Sequence, residues 1–127
     1  MNDNTCLRIL ADVNQIKACK KDVNTLQDEF KTYASILNLA GNEVRLKILY
    51  LLYSEHQMCV CDLSDVLEMK VPAISQHLRK MKDGGLVIDK KVGQTIFYAI
   101  IESKMEMILP ILKKIVESKE IEVIKAV

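Results

Sequence analysis

Apolar residues recur three and four apart over most of this chain, and the period shortens only after Leu86. Leu26, Phe30, Tyr33, Leu37 and Ala40 form the first strong helical stripe, closed by Gly41. Asn42 is placed to cap the next helix by accepting a hydrogen bond from a free backbone amide. Val44, Ile48, Leu51 and Leu52 line one face of that helix. After the connection "SEHQMCVC", Asp62-x-x-Asp65 resembles an acidic cap for a short helix carrying Leu63, Val66 and Leu67. Pro72 suits the first turn of a further helix, where its missing N–H costs little. That helix presents Ile74, Leu78 and Met81 inward and stops at Gly84-Gly85.

In "LVIDKKVGQTIFYAII", two β-branched, partly alternating runs flank Val92-Gly93-Gln94 and predict a hairpin. Ser103-x-x-Glu106 has the form of a capping box for a last helix with Met105, Ile108, Leu109, Leu112, Ile115 and Val116 on one face. Pro110 lies inside that pattern and predicts either a kink or a later start. Residues 1–24 are polar, with a weak stripe at Leu7, Leu10, Val13 and Ile16, and read as an arm or short helix before a domain over 25–127. Short helix, tight turn, longer helix and hairpin predict a mainly α fold with a β-hairpin, the winged helix-turn-helix. In that plan the second helix of the motif enters a major groove and the hairpin flanks it.

At 127 residues, 50% hydrophobic, the chain is sized for one domain with a modest core. Charged residues make up 28% and the net charge is +1, which argues against a disordered or histone-like protein. The location of the charge changes the picture. Six basic residues against two acidic ones give the segment from Lys70 to Gln94 a net +4 in a chain of net +1. Lysines on such a helix and wing can replace counterions on DNA phosphates. On the exposed face, Lys70, Ala73, Ser75, Gln76, Arg79 and Lys80 are the candidate DNA contacts. Gln and Arg suit adenine and guanine edges. Lys91 and Gln94 on the hairpin are candidates for backbone or minor groove. His77, beside inward Leu78, is expected to be hydrogen-bonded within the motif, with direct DNA contact the alternative.

The N-terminus lacks the basic start and apolar core of a signal peptide. No uncharged run approaches the roughly 18 apolar residues that cross a membrane. A cytoplasmic protein is expected. In that reducing compartment Cys6, Cys19, Cys59 and Cys61 are ligands, reactive thiols or fillers rather than a disulfide framework. Cys59 and Cys61 stand at the start of the short helix, where free amides and the positive end of the helix dipole suit anionic groups. As ligands they would take soft ions, and as fillers they would be two small buried side chains. No Cys–His–Asp arrangement, paired acids or phosphate loop suggests an enzyme.

Three ordered motifs carry a resemblance. "LAGNEVRLKILYLL" resembles the Leu-Ala-x-x-x-Arg-x-x-Ile-Leu helix of the ArsR–SmtB family of metal-sensing repressors, and "MCVCDLSDVL" is similar to the Cys-Val-Cys box of its arsenic, cadmium and lead sensors. "ISQHLRKMKDGGLV" matches the family's reading helix, with Met81 where leucine is usual. The resemblance covers Leu26 to the C-terminus. It implies a homodimer built on the first and last helices, which binds double-stranded operator DNA and leaves it when the inducer binds. It also implies metal ligation by Cys59 and Cys61, with As(III), Pb(II) or Cd(II) as inducer and Zn(II) possible. Cys6 stands where the lead and cadmium sensors add an arm cysteine from the other subunit, whereas Cys19 comes later than that pattern and is either a further donor or a helix-face filler. Three thiolates would suit As(III) or Pb(II), and four would suit Cd(II) or Zn(II).

The chain departs from the family in two places. Glu68 and Lys70 occupy turn positions that usually hold a small residue and a capping hydroxyl, and the last helix has no histidine for the family's other zinc site. Two other functions remain open. One is a repressor of the same fold that senses thiol oxidation or persulfides, and the other is a metal-carrying or protein-interaction module without DNA binding.

Overall fold

A computed structural model describes residues 6–126, with side chains described through Ile121. The chain divides into two compact units, one ending at Tyr33 and the other beginning at Ala34.

In the first unit Asp12 caps helix α1 (Val13–Thr25), its Oδ1 accepting the Gln15 amide at 2.9 Å. None of the α1 residues is buried. Helix α2 (Gln27–Ala40) runs on into the second unit and ends at Gly41, as the sequence predicts. Its stripe is largely open to solvent. Leu26 before it and Phe30, Tyr33 and Leu37 on it are 44–55% exposed, and only Ala40 is buried. Periodicity identifies the helix but does not distinguish a core from an uncovered apolar face.

The second unit builds on α3 (Glu43–Glu55), capped by Asn42, whose Oδ1 accepts the Arg45 amide at 3.1 Å. Ile48, Leu49 and Leu52 of α3 are fully buried, Leu49 being an addition to the predicted face. The connection that follows contains a two-residue strand, β1 (Met58–Cys59), missing from the sequence reading. Helix α4 (Val60–Leu67) starts three residues earlier than an Asp62 cap would place it, with Cys59 at the cap and no side-chain cap bond. Asp62 therefore sits in the first turn, where an acidic side chain still complements the dipole. Leu63 is buried, but Val66 is 54% exposed.

Helix α5 (Val71–Asp83) has Pro72 in its first turn, buries Ile74, Leu78 and Met81, and ends at Gly84. No room exists for a Cβ at Gly84, because the Leu39 side chain lies against it. Strands β2 (Val87–Val92) and β3 (Thr95–Ile100) form the hairpin, with Gly93 at φ +65° supplying its left-handed corner. The sheet is antiparallel in the order β1-β3-β2. Cys59, Phe97 and Lys90 stand in one row across it. Ser103 lies inside a single 3-10 turn, Glu102–Lys104, instead of opening a helix with Glu106. Helix α6 (Leu109–Ala126) starts later, with Pro110 in its first turn, so the proline delays the helix rather than kinking it. Met105, Ile108 and Leu112 complete the core.

Among the described residues no helix is long and apolar enough to cross a membrane.

Candidate nucleic-acid interface and cysteine pair

The α4–α5 turn is fixed by backbone and one hydroxyl. Glu68 adopts φ +54°, the left-handed conformation that a small residue would adopt with less strain. The Met69 amide donates to the Ser64 carbonyl at 3.1 Å, and the Ser64 hydroxyl donates back to the Met69 carbonyl. Ser64 is buried, and its role was not legible in the sequence. Lys70 occupies the cap position of α5 and makes no side-chain cap bond, as its chemistry requires.

With Ile74, Leu78 and Met81 turned into the core, the outer face of α5 presents exposed Gln76, Arg79 and Lys80, with Ala73 and Ser75 half-buried beside them. Lys70, Lys91 and Gln94 are exposed as well, the last two at the wing tip. Lys82, counted in the basic segment, is tied down: its Nζ donates to Asp89 Oδ2 at 2.9 Å, which joins the end of α5 to β2. That carboxylate holds the ammonium above its ordinary range. Lys82 thus braces the wing, while Lys80, Lys90 and Lys91 project into solvent.

His77 is half-buried on α5, and its hydrogen-bond partner lies outside the α4–α5 pair where the sequence placed it. Its partner is Arg45 of α3, whose Nη1 lies 3.3 Å from His77 Nδ1. Burial, then Arg45, then Lys80 hold the imidazole below its ordinary value of 6.5. Sequence reasoning missed Arg45. Its signal was a single arginine in an otherwise largely apolar helix, inside "EVRLKIL".

Cys59 and Cys61 come together at the start of α4, Cys59 half-buried at the cap and Cys61 exposed. Cys59 also belongs to β1 and pairs with Phe97 of β3. Cys6 and Cys19 are exposed and belong to the first unit. All four are free thiols. Among the described residues of one chain, no group of three or more His, Cys, Asp or Glu side chains is arranged to hold a metal ion. Exposed His56 closes α3 at φ +73°.

Residues 42–89, which span α3 through the first half of β2, match the family profile described as bacterial regulatory protein, arsR family. An uncharacterized HTH-type transcriptional regulator of Methanocaldococcus jannaschii is 33% identical over 88 residues, 69% of this chain and 99% of that protein. The arsenic resistance transcriptional regulator ArsR1 of Pseudomonas putida is 26% identical over 92 residues, 72% of each chain. Among solved structures, reduced HlyU from Vibrio cholerae superposes with a TM-score of 0.65 at 30% identity, covering 72% of this chain and 95% of that one. This chain therefore belongs to the arsR family of bacterial regulatory proteins, DNA-binding winged helix-turn-helix regulators of transcription rather than enzymes.

Proposed function

We propose that the protein is a homodimeric repressor that leaves its operator when a thiophilic metal or metalloid ion binds Cys59 and Cys61. The observation that carries this reading is the place of the pair. Cys59 caps α4, the first helix of the DNA-binding motif, and Cys61 lies in that helix's first turn. Thiolates at that point select soft ions such as As(III), Pb(II) or Cd(II), with Zn(II) a weaker candidate. Two donors leave such an ion under-coordinated, so Cys6, with Cys19 as a further candidate, supplies the rest from the N-terminal arm. ArsR1, named for arsenic resistance, supports a metalloid signal.

Two routes lead from the ion to the DNA surface. One runs through α4 to α5, which share the buried contacts of Leu63, Ile74 and Leu78. The other runs along the sheet row from Cys59 through Phe97 to Lys90 of the wing. A differential affinity of ~1–3 kcal/mol between the two conformations weakens operator binding about 5- to 150-fold, with an equal loss of ion affinity on DNA. The exposed stripe of Phe30, Tyr33 and Leu37, with Ile111 and Ile115 of α6, provides apolar surface for the second subunit.

Titrating reduced, oxygen-free protein with each of the four ions tests this reading by thiolate-to-metal charge-transfer absorption and by the count of protected thiols. Saturation with about three protected thiols per site, lost in Cys59→Ser, is the expected result. Four freely reactive thiols at saturating ion would overturn it. Peroxide-driven loss of DNA binding would then point to thiol oxidation as the signal.

A further inference from the structure

We propose that Arg45 is a positioning residue for DNA reading: it clamps the carbonyl end of α2 to the imidazole of His77 and so fixes how α5 is rolled about its axis. The proposal rests on α5 being the helix that enters the groove.

The clamp has three arms. Arg45 Nε donates to the Leu39 carbonyl at 2.6 Å, Nη2 donates to the Asn38 carbonyl at 3.4 Å, and Nη1 faces His77 Nδ1 at 3.3 Å. The last carbonyls of a helix have no partner within it, and a cation beside them complements the dipole. The last turn of α2 contains no basic residue of its own, so Arg45 fills that role from α3. The third arm reaches α5. Leu39 reinforces it, because its side chain lies against Gly84 at the far end of the same helix. The end of α2 therefore holds α5 at two separated places.

The chemistry of the pair fixes one proton. A guanidinium donates and cannot accept, so His77 Nδ1 accepts and its proton resides on Nε2. A protonated imidazole would turn an N–H toward Arg45 and break the arm. The charged groups acting on His77 are both cationic, Arg45 from α3 and Lys80 from α5 itself. Among the described residues, none from α2, α4 or β2 adds to them. His77 lies next to Gln76 and two residues before Arg79, so releasing it lets the base-facing side chains turn together. Precise presentation of such groups depends on the shell that holds their element in place.

Substitutions at both partners separate positioning from mere packing. Asn at position 77 offers an acceptor near the Nδ1 position and does not titrate. The probe is a labelled duplex that the full-length protein selects from a random-sequence pool. His77→Ala and Arg45→Met are expected to bind it about tenfold more weakly, and His77→Asn within about twofold of the parent. Because His77 is held below its ordinary value of 6.5, parent affinity is expected to fall only as the pH drops below 6.5, and the His77→Asn profile to flatten. Nitrogen-15 NMR is expected to show Nδ1 unprotonated near neutral pH.

An Nδ1–H tautomer, or equal affinity for parent and His77→Ala, overturns the clamp while the DNA reading stands. Equal weakening by Ala and Asn, with no change in the pH profile, also overturns it. A parent protein that selects no duplex overturns the reading of α5 and the clamp together.

Discussion

Helices α3 and α5 have the same length, 13 residues, and each places three fully buried side chains in one core, yet they begin in opposite ways. Asn42 closes the start of α3 with its own side chain. At the start of α5, Lys70 stands in the cap position without a cap bond, and Pro72 has no N–H to satisfy. A cap that accepts a backbone amide contributes stability wherever the chain has only itself for a partner. An uncapped, positively charged helix start suits an anion from outside. On the proposed reading a DNA phosphate supplies at α5 what Asn42 supplies at α3. The two helices share the work of the core and differ in what completes them.

The largest test addresses the shared part. Leu49→Ala in α3 and Leu78→Ala in α5, each fully buried, are expected to cost about 2–5 kcal/mol in urea unfolding. If Leu78→Ala cost less than about 1 kcal/mol, α5 would be a peripheral helix that does not share the core with α3. A smaller loss, about 1 kcal/mol, is expected for Asn42→Ala, with the DNA affinity of the remaining folded protein unchanged. Lys70→Ser sharpens the contrast most directly. A hydroxyl in the cap position is expected to raise stability by up to about 1 kcal/mol. Loss of the ammonium is expected to lower the salt dependence of duplex binding by about one unit of slope. Stability and binding would thus move in opposite directions. A stabilised variant with an unchanged salt slope would mean that no phosphate meets the start of α5.

What the sequence shows of this molecule follows the same division. The inward faces of α3 and α5, the Asn42 cap and the Gly93 corner were all legible, because each rests on local chemistry within a few residues. The start of α4 was misplaced because an acidic residue is favoured both at a cap and in the first turn, so Asp62 could not distinguish them. Cys59, the actual cap, was placed near the helix start by its motif but makes no side-chain bond that would mark it as the cap. Strand β1 is two residues long and exists only through pairing with β3, far along the chain. Ser103 and Glu106 had the spacing of a capping box, but the 3-10 turn and Pro110 set the true start of α6. The cysteine pair was visible as a motif, whereas its row through Phe97 to Lys90 is a property of sheet register. Arg45 shows the same limit: a half-buried arginine in a largely apolar helix signals a partner without saying which one.

The smallest effect is expected at Glu68, where two opposing terms nearly cancel. Its φ of +54° carries the steric cost of the left-handed region, roughly 1 kcal/mol for a residue with a Cβ. Glycine removes that cost but gives the unfolded chain more freedom, which takes back about 0.5–1 kcal/mol. The buried Ser64–Met69 bonds hold the turn in either case, so its geometry is retained. Glu68→Gly is therefore expected to raise stability by no more than about 0.5 kcal/mol in thermal unfolding. The same change removes an exposed carboxylate two residues before Lys70, so duplex affinity at low salt is expected to rise slightly. A destabilised Glu68→Gly variant would show that the carboxylate has a partner in the turn. A stabilised one with unaltered affinity would place Glu68 outside the reach of DNA and confine the phosphate contact to Lys70 and the residues after it.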